Sequence, residues 1–220
     1  NPKKHFGDLY YTGNAGTQSI TGLQFKPDFV FIKCRNEGHH SGLFDSLRGV
    51  LKSLSTSRID LGEYSESGSL NAFLPNGFSF NGQGYFDVNY NGNTFAAWCW
   101  KAGGSSNNFN IDDIGYSTAS DAGITNGTIN LTKLSVNTKG GFSIGLWTGS
   151  GSDGTVATGL TDTKIVILKN RSDANANWVV YHKVLDDTYD FMYFNNSNQN
   201  ASSAFHPFDL DTTFKVGSNT

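Results

Sequence analysis

The residues of this chain best suited to chemistry come in small, separated groups. His39 and His40 follow Asn36 and Glu37 in a short polar loop, an arrangement that could begin a metal or acid–base site. Adjacent residues on a strand point to opposite faces, and on a loop a metal needs further ligands that the neighbouring sequence does not supply. No metal is assigned, and Asn36, His39 and His40 are expected to form a surface loop able to contribute ligand specificity. The pairs Asp112-Asp113 and Asp186-Asp187 offer hard oxygen donors for calcium. Neither has the spaced carboxylates of an EF-hand loop, so both are expected as solvated turns. Cys34 and Cys99 sit in apolar runs, where a thiol behaves as a small hydrophobe; a disulfide between them is the alternative. Trp178 follows the polar loop 172–177. It is expected to meet solvent, where its ring, with Asn175 and Asn177, would stack on and hydrogen-bond a sugar.

Other chemistries find no support. There is no Gly-x-Ser-x-Gly elbow, phosphate-cradling loop or dinucleotide fingerprint, and no cofactor is expected. A glycan-cleaving site needs two carboxylates facing each other across a cleft, whereas the acids here lie almost wholly in turn-like segments. The net charge is −3 and no basic block occurs, which argues against nucleic acid, whose binding needs a positive footprint. No apolar run is long enough for a membrane-spanning helix, so no membrane insertion is expected.

The elements that must position these residues are strands. Period-two alternation dominates and no long amphipathic helix pattern appears. Trp98 and Trp100 share one face of the run 94–101, whose other face carries Phe95, Ala97 and Cys99. The two Trp are therefore expected at a subunit or inter-repeat contact. The sequence also repeats itself at an offset of 136: Phe6, Tyr11, Thr12 and Gly13 return as Phe142, Trp147, Thr148 and Gly149, and 29–35 returns as 165–171. This predicts an all-β chain of two tandem antiparallel β-sandwich repeats, jelly-roll or lectin-like, at 1–103 and 139–220. A flexible linker begins the intervening segment 104–138, which continues as an extended, hairpin-like stretch. Residues 43–54 are expected as strands or irregular turns rather than a short helix, and 55–72 as a surface excursion. The second repeat has no counterpart of 94–101, which predicts that this closing strand comes from a longer polypeptide or from a neighbouring subunit.

Several blocks in order carry a resemblance. They include Tyr11-Thr12-Gly13-Asn14, Pro27-Asp28-Phe29-Val30-Phe31-Ile32-Lys33, Leu43-Phe44-Asp45-Ser46-Leu47-Arg48-Gly49, Asn76-Gly77-Phe78-Ser79-Phe80 and Ala97-Trp98-Cys99-Trp100-Lys101. In these, and in Trp178-Val179-Val180-Tyr181-His182, the chain resembles repeated β domains in tail fibres and other virion appendages of marine, cyanophage-like bacteriophages. The resemblance implies a non-enzymatic protein on the phage particle, assembled in the host cytoplasm. Its expected partners are other virion proteins, further copies of itself in a trimer, and a host cell-surface glycan. The alternatives are a capsid-decorating or neck protein that binds no receptor, and a glycan-cleaving tailspike module.

Overall fold

In the first half, short runs of alternating apolar residues fold as strands β1 (Phe6–Thr12), β2 (Thr17–Thr21), β3 (Phe29–Cys34), β4 (Gly42–Asp45), β5 (Lys52–Ser53), β6 (Tyr64–Ser65), β7 (Leu70–Leu74), β8 (Gly77–Asn81) and β9 (Thr94–Trp100). The second half holds β10 (Phe109–Ile111), β11 (Ile114–Tyr116), β12 (Leu131–Asn137), β13 (Phe142–Trp147), β14 (Gly154–Ala157), β15 (Ile165–Leu168), β16 (Val179–His182), β17 (Asp190–Tyr193), β18 (Gln199–Ala201) and β19 (Thr213–Val216). The structure is a computed structural model and describes residues 1–58, 62–183, 190–195, 199–201 and 212–217. The chain is all-β. Its only described helix is a single 3-10 turn at Pro2–Lys4.

In the first half a four-stranded antiparallel sheet, ordered β1-β9-β3-β4, lies over a three-stranded one, β2-β8-β7. The alternation in β9 explains the packing. Phe95, Ala97 and Cys99 point into a core shared with Val30, Ile32, Phe44, Phe78 and Phe80, while Trp98 and Trp100 point the other way. Cys34 and Cys99 are both buried free thiols, and burial pushes the Cys99 thiol up to about 12, with the Asp8 charge adding to the rise.

The second half has its own core, in which Leu134, Val136, Val156, Val166, Tyr181 and Phe214 meet. Sheets β11-β10-β12-β13 and β15-β16-β17-β18 and the pair β14-β19 surround it. Among the described residues all ladders are antiparallel except β10 with β12.

Residues 43–54 form β4, a turn and β5, as expected. Arg48 closes that turn from a buried position, with its guanidinium on Asp45 and on the Leu43 carbonyl, 2.9 Å away.

Two expectations need correction. The segment 55–72 is not simply a surface excursion. Ser55, Thr56, Ser69 and Leu70 are buried; Leu70 joins the first core, and the hydroxyls of Ser55 and Thr56 are satisfied by Ser41, Thr56 at 2.8 Å. Nor is the glycine-rich stretch after Lys101 a free linker at its start. Ala102 and Gly103 are buried, the Gly103 amide donates to Ser135 Oγ at 2.8 Å, and that hydroxyl donates to the Gly104 carbonyl at 2.7 Å. A Cβ at Gly103 would lie 2.3 Å from the Asn110 carbonyl oxygen, so the backbones approach too closely there for any side chain.

Candidate functional site

The first sheet turns an aromatic face away from its own core. Its register sets Phe6 beside Trp100 beside Phe29, and Asp8 beside Trp98 beside Phe31 beside Leu43. Such a face in water is costly, since each square ångström of exposed apolar surface forfeits about 25 cal/mol. The second half covers much of it. Phe142 stacks on Trp100, centroids 5.8 Å apart at 19°, and meets Phe29 edge-on at 5.6 Å. Further along the face, Trp178 is 4% exposed in a cluster with Leu43 and Leu54, flanked by Phe29 and Phe31. Its indole N–H donates to the Ser55 carbonyl at 2.8 Å.

A polar clasp closes the rim of this joint. The Arg171 guanidinium grips Glu63 through two hydrogen bonds of 2.9 Å each, and the Glu63 amide donates to the Arg171 carbonyl at 3.0 Å. Gly62 lets the chains come this close, as a Cβ there would sit 2.4 Å from the Arg171 oxygen. Burial pushes the Glu63 carboxyl up, but the Arg171 hydrogen bond and the charges of Arg48, Arg171 and Lys52 together outweigh it and hold the group below the usual glutamate range.

The sign of the pH effect follows. A carboxylate with a lowered folded pKa stabilises the fold above its unfolded value and loses that contribution as pH falls through the folded value. Glu63→Gln is therefore expected to cost about 1–3 kcal/mol at pH 7. The cost should shrink towards zero in acid, below the usual glutamate range. Urea titrations of both proteins across that range test this, and a pH-independent difference would refute it.

The residues singled out from sequence fall in different places. Trp178 is no sugar platform, because the first half buries its ring. Asn177 accepts from Asn195, which in turn accepts from the Trp178 amide, each at 2.8 Å, so it anchors the start of β16. Asn175 is exposed, its amide donating to Asp173 in a tight turn at 2.8 Å. Asn36 is a strand-end cap whose side-chain oxygen accepts from the Thr94 amide at 2.9 Å. Trp98 stacks on Phe31 within the first sheet, whereas Trp100 reaches across to the second half.

Asp112 and Asp113 form the hairpin turn between β10 and β11, both with positive φ. Asp112 accepts from the Thr138 amide at 2.9 Å, and Asp113 pairs with Lys101. Asp186 and Asp187 lie outside the described residues. Among the described residues no three His, Cys, Asp or Glu side chains converge as a metal-binding set, and no helix is long and apolar enough to cross a membrane.

His39 and His40 do meet other functional groups. His39 stacks on Tyr90 at 5.1 Å with its Nδ1 3.1 Å from Asp87, and His40 bonds Ser57 at 3.0 Å. The same 82–93 loop carries Tyr85, packed on Tyr64 at 4.4 Å with Arg58 over its ring. Tyr85 and Tyr90 are 46% and 43% exposed. Sequence reading missed these two tyrosines, although aromatic residues in a stretch otherwise built of Gly, Asn and Asp are the signal that could have found them. It also missed the Glu63–Arg171 clasp.

A family model described as a domain of unknown function, DUF7483, matches residues 1–220. The chain belongs to the DUF7483 family. That match spans both cores and the joint between them, so the DUF7483 domain comprises the pair. Comparisons with curated proteins and with solved structures each found no match.

Proposed function

We propose that this chain is a non-enzymatic structural module of a phage virion appendage, similar to a tail fibre, which extends a projection by docking β units onto one another's sheet faces. The joint carries the reading. A buried Trp, a stacked Phe and a charged clasp fix the second half on the first, as a part that must hold its shape under load requires. The resemblance of the sequence blocks to repeats of marine phage appendages supports the setting on the particle surface. It also supports the expected partners: other virion proteins and a homotrimer.

One open surface pocket has a polar lining. It is lined by Ser105, Asn107, Asn108, Tyr116, Ser117 and Lys133 and carries none of the facing carboxylates by which a glycoside hydrolase works.

A second reading, host-glycan binding, is favoured by the surface of the 82–93 loop. There Tyr85 and Tyr90 present aromatic faces beside His39, Asp87 and Arg58, the combination of stacking surface and hydrogen-bonding groups that sugars use. Single contacts of this kind are weak and gain strength through copies.

The test combines three measurements on the purified chain: small-angle scattering, light scattering, and incubation with host polysaccharide followed by a reducing-end assay. A rigid particle that releases no reducing ends is expected. Two cores that tumble independently, or steady glycan cleavage, would sink the proposal. Binding on a glycan array that Tyr90→Ala abolishes would establish the second reading, and its absence would leave a purely structural module.

A further inference from the structure

Among the described residues, the second half leaves unpaired two strand edges whose counterparts in the first half are both paired by β9. β13 is paired on one side, by β12, and β15 on one side, by β16; among the described residues no strand lies along the other edge of either. Their counterparts in the first half are β1 and β3, by the sequence offset of 136 that carries Phe6 to Phe142 and Phe29 to Ile165. The pairings follow the same plan, since Phe29 and Val30 oppose Asp45 and Phe44 while Ile165 and Val166 oppose His182 and Tyr181. Between β1 and β3 runs β9, antiparallel to both. Nothing described runs between β13 and β15.

The side chains along this gap carry the same message. In the first half the inward residue Val30 is buried, and the outward Phe29 and Phe31 are half-buried, with Trp100 and Trp98 of β9 beside them and Phe142 and Trp178 of the second half against them. In the second half the inward Val166 is buried as well. The outward Ile165 and Ile167, by contrast, are 52% and 48% exposed. Two β-branched residues placed outward on an unpaired edge make a strand that can join another segment by backbone hydrogen bonds and side-chain contacts at once.

We infer that the slot between β13 and β15 is a strand-acceptor site. It takes one extended, uncharged, proline-free segment of the Thr94–Trp100 type, running antiparallel to both edges. Large apolar side chains of that segment would lie beside Ile165 and Ile167 on the outer face, and its alternate residues would point towards the second core. Backbone pairing supplies affinity and the two outward positions supply selectivity. The inference rests on the strand pairings and stands whether or not the chain belongs to a virion.

A labelled peptide with the sequence of residues 91–104, carrying Cys99→Ser, tests it against the intact 220-residue chain. The readouts are fluorescence anisotropy, amide hydrogen exchange and light scattering. Saturable binding is expected, with exchange slowed at both 142–147 and 165–168, and at least tenfold weaker binding when Ala97→Pro removes a backbone donor from the peptide. Ile167→Lys in the chain should weaken binding similarly while leaving the first core's exchange unchanged. No binding at millimolar peptide, or protection confined to the first half, would overturn the site. So would two chains pairing through these same edges in place of the peptide, which would make the occupant a second copy.

Discussion

Trp178→Ala is expected to destabilise the chain by about 3–5 kcal/mol, the range for deleting a large buried aromatic. The residue is 4% exposed and fills the space between Leu43 and Leu54 at the joint, so its removal leaves a cavity between two rigid sheets that cannot collapse around it. The Ser55 carbonyl, which accepts the indole N–H, also loses its donor. Trp178→Phe keeps most of the volume and removes only that bond, at about 1 kcal/mol. Because the joint is the lesion, hydrogen exchange should accelerate at 52–56 and around Phe142 before either core melts. Urea unfolding with exchange readout measures this. A loss under about 1 kcal/mol would show that the two halves are not held by this contact.

The second large effect is at Asp28. This carboxylate is 1% exposed and gathers three donors: Ser46 Oγ at 2.8 Å, the Ala102 amide at 2.8 Å and the Gly104 amide at 3.2 Å. It ties β3 to the exit of β9, where the chain leaves the first core for the second. Asp28→Ala strands buried donors that solvent cannot reach easily, and is expected to cost about 3–5 kcal/mol, the sum of two or three unmade bonds.

Asp28→Asn behaves differently. One amide oxygen can face the two backbone donors while the NH₂ group donates to Ser46 Oγ, so its cost at pH 7 should stay within about 1 kcal/mol. Burial pushes the Asp28 carboxyl up, outweighing its hydrogen bonds and the Lys26 charge. A raised carboxyl is protonated earlier in the folded state than in the unfolded chain, so the wild type should gain stability relative to Asp28→Asn as pH falls through that raised value. Chemical unfolding of the three proteins at several pH values reads both effects. An Asp28→Asn variant as damaged as Asp28→Ala would mean that the charge itself, rather than the acceptor geometry, holds the junction.

Much of this chain was legible without a structure because strands write themselves in period two. The alternation Phe95, Ala97, Cys99 against Trp98, Trp100 fixed which face of β9 goes inward, and the surplus of aromatics on the other face required something to cover it. The repeated runs 29–35 and 165–171 each hold a strand, β3 and β15. Gly62 and Gly103 look like any other glycines in the sequence; only the approach of Arg171 and Asn110 shows why nothing larger fits.

Tertiary structure alone decided what Trp178 does. Its local sequence is a polar loop running into a strand, which favours exposure, and its burial comes from Leu43 and Leu54 more than 120 residues earlier. The same distance hid the Glu63–Arg171 clasp, whose partners stand 108 residues apart. Local pattern fixes the direction in which a side chain leaves the backbone, because that depends on neighbouring dihedrals. Whether water or another sheet meets it there depends on how two separately formed cores dock, and that free energy is summed over residues with no proximity in sequence.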